Sequence, residues 1–519
     1  MFLLLGMASD ASVRYQLSSM QVFDRAALLV RRDHTLGTIL ERLAKVHGKR
    51  RLVEEAGGGL QLTYGQAAKR VARWAGGISH QVQIGDRVVI AGDNGYEMLL
   101  LCLAASRAGA IPVPVNPQMR PDEVAHVIAD SGAALVLRAA NEVDGKPPME
   151  TAVPADPGDV AALFYTSGTT GKPKGVELSH RSLVGQVAAA GALPTQLVLR
   201  GEAVVGLPVA HIMGFAVIIG LASAGLPVYF LPRFRPTDVL DAIEERHSSM
   251  FIGVPAMYRM LLEAGAEQRD LSSVRIWGSG ADAMPAELAQ KFKAMGATAS
   301  LPVVGPIGEA MFFEGYGMVE LGGGAAAKIS PPLIDLGLGE SLGFPLPGYK
   351  FRVVDDDDVD VPMGEVGELL IKGPGVTKGY YGDAAATQST LTDDGWLRTG
   401  DLARKGFLGA VAFAGRKKDV IKHGGFSVYA LEVQTALEEH PDVLEAAVLG
   451  LPDERKGEVP VAAVRLAEGS TADEAALVAF AKDRLSDYKV PQRIVVVDEL
   501  PRTGTNKVQK RELLHLFEQ

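Results

Sequence analysis

Tyr165-Thr-Ser-Gly-Thr-Thr-Gly-Lys-Pro-Lys-Gly-Val176 decides how this 519-residue chain is read. The apolar run Ala161 to Phe164 enters it as a strand. Small hydroxyl and glycine residues follow, and then two lysines. Such a loop surrounds anionic oxygens with backbone N–H and hydroxyl donors while the ammonium groups neutralise charge. The spacing is not the Gly-x-x-x-x-Gly-Lys-Ser/Thr of a Walker loop, so a different nucleotide chemistry is expected.

Around the loop the chain alternates helices with short apolar strands. Arg120-Pro-Asp-Glu-Val starts a helix with proline in its first turn and acids at the positive dipole end, and Gly132 closes it. Ala134 to Leu137 then reads as a buried strand, and this alternation implies a largely parallel α/β sheet. A faint internal echo points to two similar α/β subdomains. Leu101 to Gly109 leads into Ile111-Pro-Val113, and Gly220 to Gly225 leads into Leu226-Pro-Val228. From about Gly343 the pattern turns β-rich, with Lys350 to Val354 and Gly367 to Ile371 as strands. Asp355 to Asp358, between them, reads as a solvated turn rather than a metal cluster. After Gly415 a compact segment is expected: helix Ala430 to Glu439, strands Ala446 to Leu449 and Pro460 to Arg465, helix Asp473 to Leu485, and strand Arg493 to Val497.

Bulk composition narrows the classes. The length exceeds one typical core, so several domains are expected. With 52 basic against 62 acidic residues and no long Lys/Arg run, nucleic acid is excluded as a partner. The single cysteine, Cys102, sits in an apolar run and reads as a small buried hydrophobe; no intramolecular disulfide is possible, in keeping with a cytoplasmic location. Phe2 to Leu5 is too short for a signal h-region. Ile212 to Pro232 is uncharged but broken by Gly214, Gly220, Gly225 and Pro227, so a buried helix capped at Gly225 and a short strand are expected there, not a stable membrane insertion.

The loop at 165–176 resembles the signature of the adenylate-forming superfamily, which includes acyl-CoA synthetases, peptide-synthetase adenylation domains and luciferases. Other segments resemble the same family in the same order. The resemblance implies a large N-terminal domain, residues 1–415, made of two α/β subdomains and a β-rich subdomain. A small mobile α+β C-terminal domain, residues 416–519, follows a hinge near Lys418. It also implies ATP, Mg²⁺ and CoA as cofactors and co-substrates. In the loop, Thr166, Ser167, Gly168, Thr169, Thr170, Gly171, Lys172 and Lys174 would bind the phosphates.

Leu207-Pro-Val-Ala-His-Ile-Met-Gly-Phe215 resembles the family's histidine segment beside the acyl pocket, with His211 orienting the carboxylate. Ile276-Trp-Gly-Ser-Gly-Ala-Asp282 resembles the turn whose backbone, at Gly280 and Ala281, lies against adenine. Gly315-Tyr-Gly-Met-Val-Glu320 is similar to Tyr-Gly-x-Thr-Glu. By that match Tyr316 and Gly317 meet adenine, and Glu320 binds Mg²⁺ with Thr166. Val319 stands where the family has threonine, a loss worth roughly 1.5–3 kcal/mol if that hydroxyl met a charged phosphate. In Gly395-Trp-Leu-Arg-Thr-Gly-Asp401, Asp401 would hold both ribose hydroxyls. In Gly415-Arg-Lys-Lys-Asp-Val-Ile-Lys-His-Gly-Gly-Phe426, Arg416 would contact ribose and phosphate. Lys422 would serve the second step, and Gly424 and Gly425 would line the pantetheine tunnel. Leu500-Pro-Arg-Thr-Gly-Thr-Asn-Lys-Val508 resembles Pro-x-Thr-x-x-Gly-Lys, making Lys507 the catalytic lysine, with Asn506 in place of a glycine.

The activity implied is ATP-dependent ligation of a carboxylic acid to CoA through an acyl-adenylate. No acid lies in Met213 to Ile219, so the ammonium of an amino acid substrate would lack a partner. The apolar lining, expected from Phe215, Val217, Ile218 and Phe251 to Tyr258, favours a medium- or long-chain fatty acid. An aromatic acid, transfer to a carrier protein instead of CoA, and a nucleotide-binding pseudoenzyme are the competing readings. The oligomeric state is left open, a homodimer included.

Overall fold

The computed structural model describes residues 33–166, 172–185, 201–301, 303–332, 341–406, 409–467, 469–502 and 508–517. A nine-stranded sheet organises the first part. At its centre the strands Ala203–Val205, Met250–Gly253, Ile276–Gly280 and Met311–Met318 run parallel, and Gly323–Ser330 returns antiparallel beside the last. A second, three-stranded parallel sheet joins Ile111–Pro114, Arg87–Ile90 and Leu135–Leu137. The phosphate loop lies elsewhere, between two strands of an antiparallel sheet, Val160–Thr166 and Lys174–Ser179, to which Gly379–Tyr380 adds an edge.

Local chemistry explains the helix ends. The helix Pro121–Ser131 has proline in its first turn and closes on Gly132 at φ 56. The helix Ile212–Ala224 is apolar throughout and closes on Gly225 at φ 72, whose N–H returns to Ala222 and Leu221. It leads into the strand Val228–Phe230. Among the described residues no helix is long and apolar enough to cross a membrane. Both halves of the internal echo form a helix, a left-handed glycine and a parallel strand, in two different sheets.

The β-rich part is a four-stranded antiparallel sheet of Lys350–Val354, Val366–Lys372, Leu397–Lys405 and Val411–Arg416. The aspartates at its first turn meet cations: Asp356 pairs with Lys417 at 3.0 Å and Asp358 with Arg398 at 2.5 Å. The last segment has its own five-stranded sheet and two apolar clusters, one around Val433, Val448 and Leu477, the other around Val461, Leu500 and Leu513. Two elements differ from expectation there. The hairpin Val443–Asp453 with Gly457–Leu466 is longer, because Asp453 accepts from the N–H groups of Arg455 and Lys456 and closes its tip. The helix Glu474–Lys482 is shorter at both ends: Asp473 serves as its N-cap, accepting from Ala476 N, and residues 483–485 turn away from it.

Candidate active site

Three strand ends and one helix start bring the site together. Tyr316 sits near the end of Met311–Met318, and Gly280 pairs across to Gly315 on that strand. Gly317 follows where the strand bulges, and a Cβ there would lie 1.7 Å from the Gly323 carbonyl, so only glycine fits. Ala281, just after Gly280, holds φ 66, a left-handed conformation that non-glycine residues rarely adopt and that marks functional turns.

The Tyr316 hydroxyl donates to Asp401 Oδ2 at 2.6 Å, and Arg416 Nε approaches Oδ1 at 2.6 Å. Asp401 and Arg416 are cross-strand partners in the β-rich sheet. Burial, and then the Asp401 carboxylate, push the Tyr316 phenol well above its ordinary range, so it remains a donor. Asp401 itself is only 2 % exposed. Tyr316, Asp401 and Arg416 thus form one cradle, as their motifs imply.

Glu320 is buried, and its Oε1 accepts from the Tyr380 hydroxyl at 2.8 Å. Its backbone carbonyl accepts from Thr377 N at 2.8 Å, while the Thr377 hydroxyl donates to Glu177 O at 2.7 Å. Thr377 therefore stitches Glu320 to the strand leaving the phosphate loop. Thr166 and Lys174 face each other at the loop's mouth. A buried carboxylate and a threonine hydroxyl are hard oxygen donors of the kind Mg²⁺ takes, so the residues present fit that ion.

Lys174 is engaged by Asp383 at 2.9 Å and lies 5.7 Å from the centre of the Tyr380 ring, so its charge is already met by a carboxylate. Lys172 is exposed. Both line a cleft of about 530 Å³ at the loop's exit. Ser167, Gly168, Thr169, Thr170, Gly171 and Lys507 lie outside the described residues.

His211 is the N-cap of the Ile212–Ala224 helix, with Nδ1 accepting from Met213 N at 3.3 Å. That helix packs against the strand entering the phosphate loop through an edge-on contact of Phe215 with Phe164, 5.3 Å between centres. Met213 overlies the glycine pair: a Cβ on Gly280 would lie 3.4 Å from its terminal methyl carbon.

Lys422, Gly424 and Gly425 are exposed. Lys422 Nζ meets Ser427 Oγ within its own hairpin at 2.9 Å; the Asp356 carboxyl is held below its ordinary range by its hydrogen bond to Lys417, with the Lys422 charge adding to this. A Cβ on either glycine would meet nothing within 4 Å. Tyr380, Thr377 and Asp383 escaped the motif reading, because Thr377-Lys-Gly-Tyr-Tyr-Gly-Asp383 carries no local signal of what it meets in space.

The fold, with Tyr316, Asp401 and Arg416 gathered at the ends of two sheets, is that of an adenylate-forming enzyme. The AMP-binding enzyme family matches residues 40–153 and 138–381, and the AMP-binding enzyme C-terminal domain matches 432–507. The chain belongs to the AMP-binding enzyme family, the adenylate-forming superfamily. It is 34% identical to a feruloyl-CoA synthase of Amycolatopsis sp, over 89% of this chain and 95% of that relative. It is also 34% identical to a long-chain-fatty-acid–CoA ligase of Bacillus subtilis, over 78% of this chain and 70% of the relative. Among solved structures, ATP-bound MatB from Rhodopseudomonas palustris is similar with a TM-score of 0.81 and 28% identity, covering 93% of this chain and 99% of that one. The o-succinylbenzoate CoA synthetase of Bacillus subtilis, in complex with ATP and magnesium ion, is similar with a TM-score of 0.78 and 26% identity, over 92% and 99% of the two chains.

Proposed function

We propose that this chain activates a medium- or long-chain fatty acid as its adenylate and passes the acyl group to CoA. An AMP-forming acid–thiol ligase, with ATP and CoA as co-substrates, is the enzyme class of the family and of these relatives. The acid and the division of roles among residues go further.

One observation carries the choice of acid. Gly280 and Gly315 form a side-chain-free floor under Met213, and a Cβ on Gly315 would find only Phe313 at 3.6 Å and Ser279 O at 4.0 Å. From that floor an apolar stripe runs outward over three strands. Phe313 pairs with Ile329, and Phe344 pairs with Ala327 on the same face two residues back. Phe313, Ile329 and Phe344 are 38%, 46% and 43% exposed. A half-exposed apolar stripe leading off that floor suits an unbranched tail better than a compact ring, and each methylene it covers contributes about 0.8 kcal/mol. An aromatic acid is the second reading, supported by the likeness to feruloyl-CoA synthase and by the Phe313 ring beside Gly315.

The chemistry needs no covalent protein nucleophile. A carboxylate oxygen attacks the α-phosphorus of ATP; that P–O bond forms, the bridge to the β-phosphate breaks, and pyrophosphate leaves. CoA thiolate then attacks the acyl carbon, the acyl–phosphate bond breaks, and AMP leaves. His211 orients the carboxylate. Asp401, Tyr316 and Arg416 fix the nucleoside, and Lys507 and the donor loop stabilise charge at the phosphates. Mg²⁺ at Glu320 and Thr166 would neutralise phosphate charge when bound. For the second step the C-terminal domain swings about Lys418, bringing Lys422, Gly424 and Gly425 to the adenylate.

ATP consumption with CoA against a panel of acids tests the substrate. Turnover should climb with chain length; poor turnover of every acid from about C6 upward ends the fatty-acid reading. Lys507→Ala tests the roles. It should abolish acyl-AMP formation and spare thioester formation from supplied acyl-AMP, and equal loss in both would refute the division.

A further inference from the structure

Two charges one turn apart on the helix Pro255–Glu263 reach the C-terminal segment with opposite polarity. Arg259 lies 3.9 Å from Glu438 and 3.8 Å from Glu445, while Glu263 pairs with Arg465 at 2.8 Å. The acceptors are not free surface groups. Glu438 ends the helix Ala430–Glu438 and accepts from Ala446 N at 3.0 Å, and the Glu445 side chain is only 7% exposed. Glu445 also holds Arg502 at 2.5 Å, so Arg259 and Arg502 share one carboxylate. Burial pushes the Glu438 carboxyl up, Arg259 being the first group that opposes this, and Glu445 and Asp282 add negative charge.

We propose that Arg259 is a positioning residue for adenylate formation, clamping the C-terminal domain through Glu438 and Glu445, with Glu263–Arg465 setting the register, in an arrangement that leaves Lys422, Gly424 and Gly425, the face assigned to the second step, exposed. The proposal rests on the two-step reading above. Without Arg259, Asp282 faces Glu438 and Glu445 across the joint, with Arg502, on the same side as the two glutamates, as the remaining cation named there, and attraction across the joint gives way to repulsion. Ion pairs suit a joint that must also open. They are reversible, screened by salt and satisfied by water on separation, whereas a large apolar interface would resist a swing.

The test measures both half-reactions in Arg259→Ala, with Arg259→Lys as the charge-conserving control. Pyrophosphate release with ATP and acid should fall on the order of tenfold in the alanine variant, while acyl-CoA formation from supplied acyl-AMP and CoA is unchanged or faster. The lysine variant should recover most of the first step. Raising salt from about 0.05 to about 0.5 M should slow adenylation in the parent chain more than in Arg259→Ala. Small-angle scattering of the nucleotide-free chain reads docking without activity, and Arg259→Glu should enlarge the radius of gyration. Equal loss in both half-reactions, or an unchanged half-reaction ratio together with an unchanged radius, overturns the clamp. A parent chain that releases no pyrophosphate with any acid overturns the ligase reading instead, and scattering still decides the clamp.

Discussion

The Tyr316 hydroxyl donates to Asp401 Oδ2 at 2.6 Å, joining the end of the large sheet to the β-rich sheet at one buried carboxylate. Arg416 meets the other oxygen at 2.6 Å from the neighbouring strand. A carboxylate offers about four lone-pair sites, so it can keep these partners and still accept from two vicinal hydroxyls. The proposed function gives the two residues different roles, Tyr316 as wall and orienter, Asp401 as the ribose acceptor.

Asp401→Ala should therefore raise the KM for ATP at least about ten- to hundredfold, since even one of the two hydrogen bonds to the charged group is worth about 1.5–3 kcal/mol. Tyr316→Phe keeps the ring against the base and should cost less than tenfold. Initial-rate kinetics with varied ATP distinguish them; equal effects would contradict the separation.

Val319 begins the short turn Val319–Leu321 that carries Glu320 and is half-buried. Val319→Thr restores a hydroxyl of nearly the same volume. If it reaches a phosphate, KM for ATP should fall by about one to two decades. Thermal melting of the same variant should change little, and an unchanged KM would place the hydroxyl out of reach of the triphosphate.

Gly315→Val should block the glycine floor without unfolding the strand, since a Cβ there has ordinary contacts at 3.6 Å and beyond. kcat/KM for acids from about C10 upward should fall by at least tenfold, the weight of about two covered methylenes. Turnover of acetate or propionate should be little changed. A uniform loss over all acids would move the acyl site elsewhere.

His180 contributes one part of the pH dependence of folding. It is 4% exposed and its Nδ1 accepts from Leu36 N at 3.0 Å, which requires the unprotonated nitrogen. Desolvation lowers its pKa from 6.5 to about 4, with Asp159 opposing. In that window the unfolded chain binds the extra proton, so stability rises with pH and is lost on acidification from about 6.5 toward 4. Between pH 7 and pH 5 the loss should be on the order of 2 kcal/mol. His180→Asn preserves an acceptor for Leu36 N and should flatten this part of the stability–pH curve, read by denaturant titration.

The motifs at Tyr316, Glu320, Asp401 and Arg416 were legible because close packing and nucleotide chemistry constrain residue types over a few consecutive positions, as at Gly317 beside the Gly323 carbonyl. Helix ends were legible for the same local reason: Pro121, Gly132 and Gly225 act on their own turns. The lengths of the C-terminal hairpin and of the helix Glu474–Lys482 were less so, since Asp453 and Asp473 each choose between capping and continuing according to neighbours a few residues away.

By itself the order of residues determined the superfamily and the sequence of its motif segments, both properties of local pattern. Tertiary structure alone decided which charges meet. Tyr380 reaches Glu320 across 60 positions and Asp383 reaches Lys174 across the phosphate-loop sheet. Arg259 likewise finds Glu438 and Glu445 on a segment with its own core. Electrostatic pairing depends on distance in space, and a linear sequence does not carry that distance until the chain has folded.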